Sequence, residues 1–117
     1  MRHVVAHHND EAKPLTEPVL LILTSLADQP RHGYALIQDI ESLSSGRVRM
    51  STGTLFGALR RLLGDGWIER FKLADTARQK QAYRLTSAGR KHLQAELDRM
   101  RHLTRAGIAR LRASEAT

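Results

Sequence analysis

Ser51-Thr52-Gly53-Thr54-Leu55-Phe56-Gly57-Ala58-Leu59-Arg60-Arg61-Leu62, continued by Leu63-Gly64-Asp65-Gly66 and then Trp67-Ile68-Glu69-Arg70-Phe71-Lys72-Leu73, is the stretch that decides the fold. Ser51 is a good N-cap and Gly66 a good terminator, so the pattern predicts a helix from about Thr52 to Asp65. At about 100° per residue, Leu55, Leu59 and Leu62 gather on one side, while Gly53, Gly57 and Arg60 gather on the other. Each interior glycine costs about 0.8 to 1 kcal/mol relative to alanine, so two on the solvent face weaken the helix unless their small size serves a close approach. The major groove of B-DNA demands such an approach at a helix N-terminus, where Ser51, Thr52 and Thr54 offer hydroxyls to base edges or phosphates. Arg60 and Arg61 reach toward the backbone further along, Arg47 and Arg49 flank the entrance, and no acidic residue stands between Arg47 and Arg61. One arginine is an ordinary solvated side chain; the cluster favours a polyanion.

The residues after Gly66, rich in aromatic and branched types, predict a strand, and Gln81 to Leu85 predict its return. Lys72, Arg78 and Lys80 surround the connecting loop, diluted by Glu69 and Asp75. Such a loop can track phosphates beside a recognition helix, and it reads equally as a solvated turn. Two strands alone are marginally stable, so the hairpin must pack on helices.

Upstream, Thr16 caps a helix with Glu17 and Pro18 in its first turn, followed by the apolar run Val19 to Leu26. Apolar on nearly every side, it calls for burial all round, part of it against a second subunit. A break at Asp28-Gln29-Pro30 precedes a second helix with Leu36, Ile40 and Leu43 at helical spacing, ended by Ser44-Ser45-Gly46. Downstream, Thr86 caps a long helix from Ser87 to about Ala113. The expected architecture is mainly α with a small β-hairpin: a flexible arm over residues 1–14, a winged helix-turn-helix domain over 15–86, a C-terminal helix over 87–113, and a tail over 114–117.

That last helix carries Leu93, Leu97, Met100, Thr104, Gly107 and Leu111 at alternating four- and three-residue steps, flanked by Leu103 and Ile108. A narrow stripe suits a helix partner, and a helix this long leaves its far end uncovered by its own domain, so a homodimer interface is expected there. Two-fold symmetry then predicts inverted-repeat half-sites about one helical turn apart.

The global numbers agree. Over 117 residues, 19 Lys and Arg against 12 Asp and Glu give a formal net charge of +7, and the sequence pI is near 10.8, which points to nucleic acid as partner. No apolar run approaches the roughly 20 residues of a membrane span, and no secretory core is found, so no membrane partner and a cytoplasmic location are expected. The absence of cysteine excludes disulfides, thiolate metal sites and cysteine nucleophiles. No phosphate loop or paired catalytic histidines occur; His32, Tyr34 and Asp39 are better read as capping, packing or solvated groups, and no enzyme, cofactor or metal is expected. His3, His7 and His8 near Asp10 and Glu11 could bind a transition metal weakly, but a polar tail is the plainer reading.

Three ordered segments resemble the PadR-type regulators: His32-Gly33-Tyr34-Ala35-Leu36; Ser51 to Phe56 with Ala58-Leu59-Arg60-Arg61-Leu62; and Tyr83-Arg84-Leu85-Thr86 with Gly89. The resemblance spans about Leu15 to Leu97. It implies a winged helix whose third helix reads the major groove, whose hairpin is the wing and whose last helix joins two subunits, in proteins that usually repress transcription. Thr52, Phe56 and Gly57 depart from that pattern, which commonly has proline, tyrosine and proline there. Phe56 lacks the hydroxyl that commonly contacts the DNA backbone, and Tyr34 either supplies one nearby or belongs to the core. A small-molecule effector of unidentified chemistry is left open as a partner. The rival readings are a winged-helix protein adaptor, which would show an apolar or acidic face in place of the arginines, and a nonspecific nucleic-acid binder.

Overall fold

The computed structural model describes residues 14–72 and 81–116. Helix α1 (Glu17–Ser25) is capped by Thr16, whose Oγ1 accepts from the Val19 amide, with a proline in its first turn. Strand β1 (Arg31–His32) leads directly into α2 (Gly33–Leu43), and α3 (Thr52–Asp65) follows. Strands β2 (Ile68–Lys72) and β3 (Gln81–Leu85) form the hairpin, and α4 (Ser87–Glu115) closes the chain. The fold is mainly helical with a small antiparallel sheet, as expected, but the sheet has three strands in the order β1-β3-β2. Arg31 pairs with Tyr83 and His32 with Ala82, which places β3 at the centre.

The core is built from the predicted faces. Ile22 and Leu23 of α1, Leu36 and Ile40 of α2, Leu55 and Leu59 of α3, and Ile68 of β2 are almost fully buried. Val19, Leu20 and Leu21 are partly buried against that core, so the domain itself covers much of the apolar α1. Leu43 departs from the reading of its helix: it is 46% exposed, at the end of α2.

Two links hold α3 and α4 to one body. After α3, Gly66 adopts φ 77°, and the amides of Gly66 and Trp67 donate to the carbonyls of Leu63 and Leu62. This double closure satisfies the last carbonyls of the helix and turns the chain into β2. The first turn of α4 then lies so close to that bend that a Cβ on Gly89 would stand 1.9 Å from the Trp67 carbonyl oxygen.

The start of α1 is tied to α4 by Glu96, which is buried. Its carboxylate accepts from both Nε and Nη2 of Arg99, at 3.0 and 2.8 Å, and from the Leu15 amide at 3.2 Å. The Arg99 hydrogen bond holds the Glu96 carboxyl below its ordinary range, against the opposing effect of burial. A carboxylate whose folded pKa is depressed contributes stability above its unfolded pKa and loses it as the pH falls through the folded value. Acid titration is therefore expected to release the start of α1 from α4 below the ordinary glutamate range. Glu96→Gln should lower neutral-pH stability and flatten that acid limb; an unchanged limb in urea melts at stepped pH would show that the clamp carries nothing.

Candidate nucleic-acid interface

Ser51 does cap α3. Its Oγ accepts from the Thr54 amide at 3.1 Å and donates to Thr54 Oγ1 at 3.0 Å. One hydroxyl proton is thus committed between the two side chains. Ser51, Thr52, Gly53 and Thr54 are all exposed, and nothing lies within 4 Å of a Cβ built on Gly53. The N-terminal turn of α3 is therefore a low, hydroxyl-bearing surface that a groove wall can approach.

The basic side chains divide into three sets. Arg60 is exposed on the glycine face, and its Nη2 lies 4.0 Å from the point where a Gly57 Cβ would stand. Arg61 is exposed too, but it lines a groove of about 500 Å³ together with Val19, Leu62, Trp67 and His92, on the flank of α3 that faces α1 and α4. Arg47 and Arg49 are 79% and 76% exposed, and acids from other helices reach them: Glu17 at 4.0 Å and Glu41 at 3.2 Å. Exposed pairs of this kind are worth about 0 to 1 kcal/mol, so either arginine can exchange its carboxylate for a phosphate at small loss.

In the wing, Lys72 is exposed and pairs in register with Gln81. Arg78 and Lys80 lie outside the described residues. Sequence reasoning passed over Arg70, which is exposed and shares its face of β2 with Lys72; the two-residue alternation carried that signal. On the opposite face, Arg84 is held by Glu69 at 2.7 Å and lies over the Phe71 ring at 4.5 Å, so it stiffens the hairpin.

Phe56, counted by sequence among the candidate DNA-binding residues, lies between α2 and α3. Its ring is half-buried and seated on Gly33, where an added Cβ would come 2.5 Å from Cζ. It packs α3 on α2 and presents no polar group outward. Tyr34, at the start of α2, is 65% exposed and so does not belong to the core. The other groups weighed for chemistry have structural partners. Asp39 accepts from Ser25 Oγ at 2.6 Å, Arg31 Nε donates to the Ser25 carbonyl at 2.7 Å, and His32 Nδ1 lies 3.2 Å from the Gln81 carbonyl. Among the described residues no group of three His, Asp or Glu is placed to hold a metal, and the histidines of the arm lie outside them. No described helix is long and apolar enough to cross a membrane.

The stripe on α4 also divides. Leu93 is 5% exposed and packs in the core of its own domain, so it leaves the interface set. Leu97, Met100, Leu103, Ile108 and Leu111 are 38% to 67% exposed, and Thr104 and Gly107 lie exposed between them.

A family model described as the transcriptional regulator PadR-like family matches residues 22–95. The chain belongs to that family. The PadR-like match ends just before Glu96, so the exposed part of the α4 stripe lies beyond it. Among curated proteins, the chain is 39% identical over 85 residues to an uncharacterized 37.1 kDa protein in transposon TN4556 of Streptomyces fradiae, covering 73% of this chain and 23% of that protein. It thus spans about a quarter of that relative. Among solved structures, a PadR family transcription regulator from Clostridium difficile superposes with a TM-score of 0.68 at 18% identity, covering 82% of this chain and 99% of that one. Bacillus subtilis PadR, solved in complex with operator DNA, superposes with a TM-score of 0.62 at 20% identity, covering 73% and 48%. At these identities the two structures share the winged-helix fold with this PadR-like chain.

Proposed function

We propose that this chain is a sequence-specific double-stranded DNA-binding regulator, acting as a homodimer on an inverted-repeat operator and repressing transcription. The observation that carries the reading is the exposed N-terminal turn of α3: Thr52, Gly53 and Thr54 unobstructed and Arg60 on the same outer side. Ser51, Thr52 and Thr54 would face base edges, with Arg47, Arg49, Arg60 and the wing cations Lys72, Arg78 and Lys80 on phosphates. Arg61 contributes from the flank of the helix. The unit that binds is the winged helix over 15–86; α4 joins two of them through Leu97, Met100, Leu103, Thr104, Gly107, Ile108 and Leu111. That Bacillus subtilis PadR was solved with operator DNA supports the same class of partner.

Selection from a random duplex pool tests this, first at low and then at moderate salt. Enrichment of an inverted repeat that survives moderate salt is expected; loss of all enrichment with salt would leave only nonspecific electrostatic binding. On the selected site, Arg60→Ala should weaken binding to every sequence and reduce the slope of log affinity against log salt by about one per subunit. Thr54→Val, which keeps the shape and the backbone cap while deleting the hydroxyl that accepts from Ser51 Oγ, should instead change preference at one or two positions by about 1–3 kcal/mol. If both variants keep the parental slope and preference, α3 is not the reading element.

A further inference from the structure

Beyond Glu96, α4 is exposed on nearly all sides, and its charge changes character. Arg99, Arg101, Arg105, Arg110 and Arg112 follow one another with no lysine and no acidic residue from Arg99 to Ser114. At about 1.5 Å rise per residue that is one cation for roughly every 4 Å of helix. The helix dipole accounts for Arg112, which stands in the last turn. It does not account for Arg101 and Arg105, whose four-residue spacing sets like charges side by side and weakens the helix. Arg99 is committed to Glu96 at 2.8 Å, and Arg101 meets Asp98 at 3.6 Å in an exposed pair that water screens. Among the described residues Arg105, Arg110 and Arg112 meet no carboxylate.

The arginines fall in two rows. At about 100° per residue Arg101, Arg105 and Arg112 lie within about 40° of one another, and Arg99 with Arg110 forms a second row about 150° away. Between the rows, on the side opposite the apolar stripe, stand Ala109 and Ala113, both exposed. A low alanine floor with cations along both edges is the cross-section that fits a major groove. The groove is about 12 Å wide between phosphate walls, and a helix with its side chains is about 10–12 Å across. Arginine, with its planar fork, grips a phosphate on either wall.

We propose that the outer face of this half of α4 is a second duplex-binding surface, which holds DNA phosphates without reading sequence. The duplex it takes is not the one that meets the first turn of α3. Helix α4 starts beside Trp67, at the opposite end of α3 from that turn, and the 14 residues of α3 separate the two ends by about 20 Å. The protein thus bridges two duplexes. Occupation of the apolar stripe leaves the arginine rows open, because they lie on the other side of the helix.

Bridging is measured with the full chain. Random-sequence duplexes of about two helical turns, some carrying a donor dye and some an acceptor, are mixed with the protein, and energy transfer between them is read. Transfer is expected with the parental chain and should be lost when Arg105→Gln, Arg110→Gln and Arg112→Gln are combined, while that variant still binds a single duplex. Replacing the same three by lysine keeps the charges and should keep the transfer; loss in both triple variants would place the role in the helix and not in its charge, against the proposal. Three phosphate contacts give a slope of about −2.7 in log affinity against log salt, so bridging should weaken about fortyfold between roughly 50 and 200 mM salt. No transfer with the parental chain overturns the proposal. Transfer that survives in the glutamine triple would assign bridging to the two α3 faces of a dimer, and loss of single-duplex binding there would put the arginines on the same duplex as α3; either overturns it as well. Displacement of the acceptor duplex by polyglutamate at a lower charge concentration than by unlabelled duplex would assign the surface to an acidic protein instead. Failure of α3 as the reading element is a separate result, seen as lost sequence preference in the selection while bridging persists.

Discussion

Gly89→Ala is expected to destabilise the protein by about 1–3 kcal/mol, the ordinary range for forcing a methyl group into filled space. Within a helix the same change normally stabilises by about 0.8 to 1 kcal/mol, so two effects of opposite sign compete at this position. Packing wins because the obstacle is backbone: the new Cβ would stand 1.9 Å from the Trp67 carbonyl oxygen and 2.9 Å from its carbon. Trp67 cannot retreat cheaply, since its carbonyl accepts from the Thr86 amide and its own amide closes α3, while Thr86 Oγ1 donates to the Gly66 carbonyl at 2.6 Å. Gly64→Ala is the control, because nothing lies within 4 Å of its added Cβ. Urea midpoints should move down for position 89 and hold or rise for position 64; a parental midpoint and slope for Gly89→Ala would show that the first turn of α4 is not locked to the bend.

Leu103→Asp should separate the subunits while leaving each one folded. Leu103 is 54% exposed in the single subunit, so a carboxylate there meets water and the domain core is untouched. In a dimer the same carboxylate enters the apolar seam twice, and a buried unpaired charge is far dearer than a lost leucine contact. A loss of about 3 kcal/mol corresponds to more than a hundredfold in the dimer dissociation constant. Binding to a two-half-site operator should fall with it, since joining two binding modules raises avidity by about 10²- to 10⁴-fold. Sedimentation at micromolar concentration decides the first point: persistence of the dimer would move the interface off α4. Half-site affinity unchanged alongside a collapse on the full operator would confirm that the variant is folded and that only linkage was lost.

The elements of this fold were legible where periodicity and end signals coincided. Thr16, Ser51 and Thr86 cap the helices assigned to them, and Gly66 ends α3 in the left-handed conformation its position implies. Strand β1 was not legible, because two residues carry no period and Arg31 and His32 become a strand only through their pairing with β3. The exposed first turn of α3 could be read from local sequence, since caps and faces are local properties. The counter-charges could not: the run from Arg47 to Arg61 is free of acids in the sequence, yet Glu17 and Glu41 arrive through the packing of α1 and α2. Leu93 and Leu97 look alike on a helical wheel, and only the place where the domain stops covering α4 separates the buried one from the exposed one.

The single tryptophan sits where the end of α3, the start of the wing and the long helix converge, its ring 4.1 Å from that of His92 and nearly parallel to it at 23°. The indole emission of this protein therefore registers a position that belongs to three elements at once. Any loosening of that junction changes the overlap of the two rings. Unfolding at this junction can thus be followed optically in the native chain, without a dye.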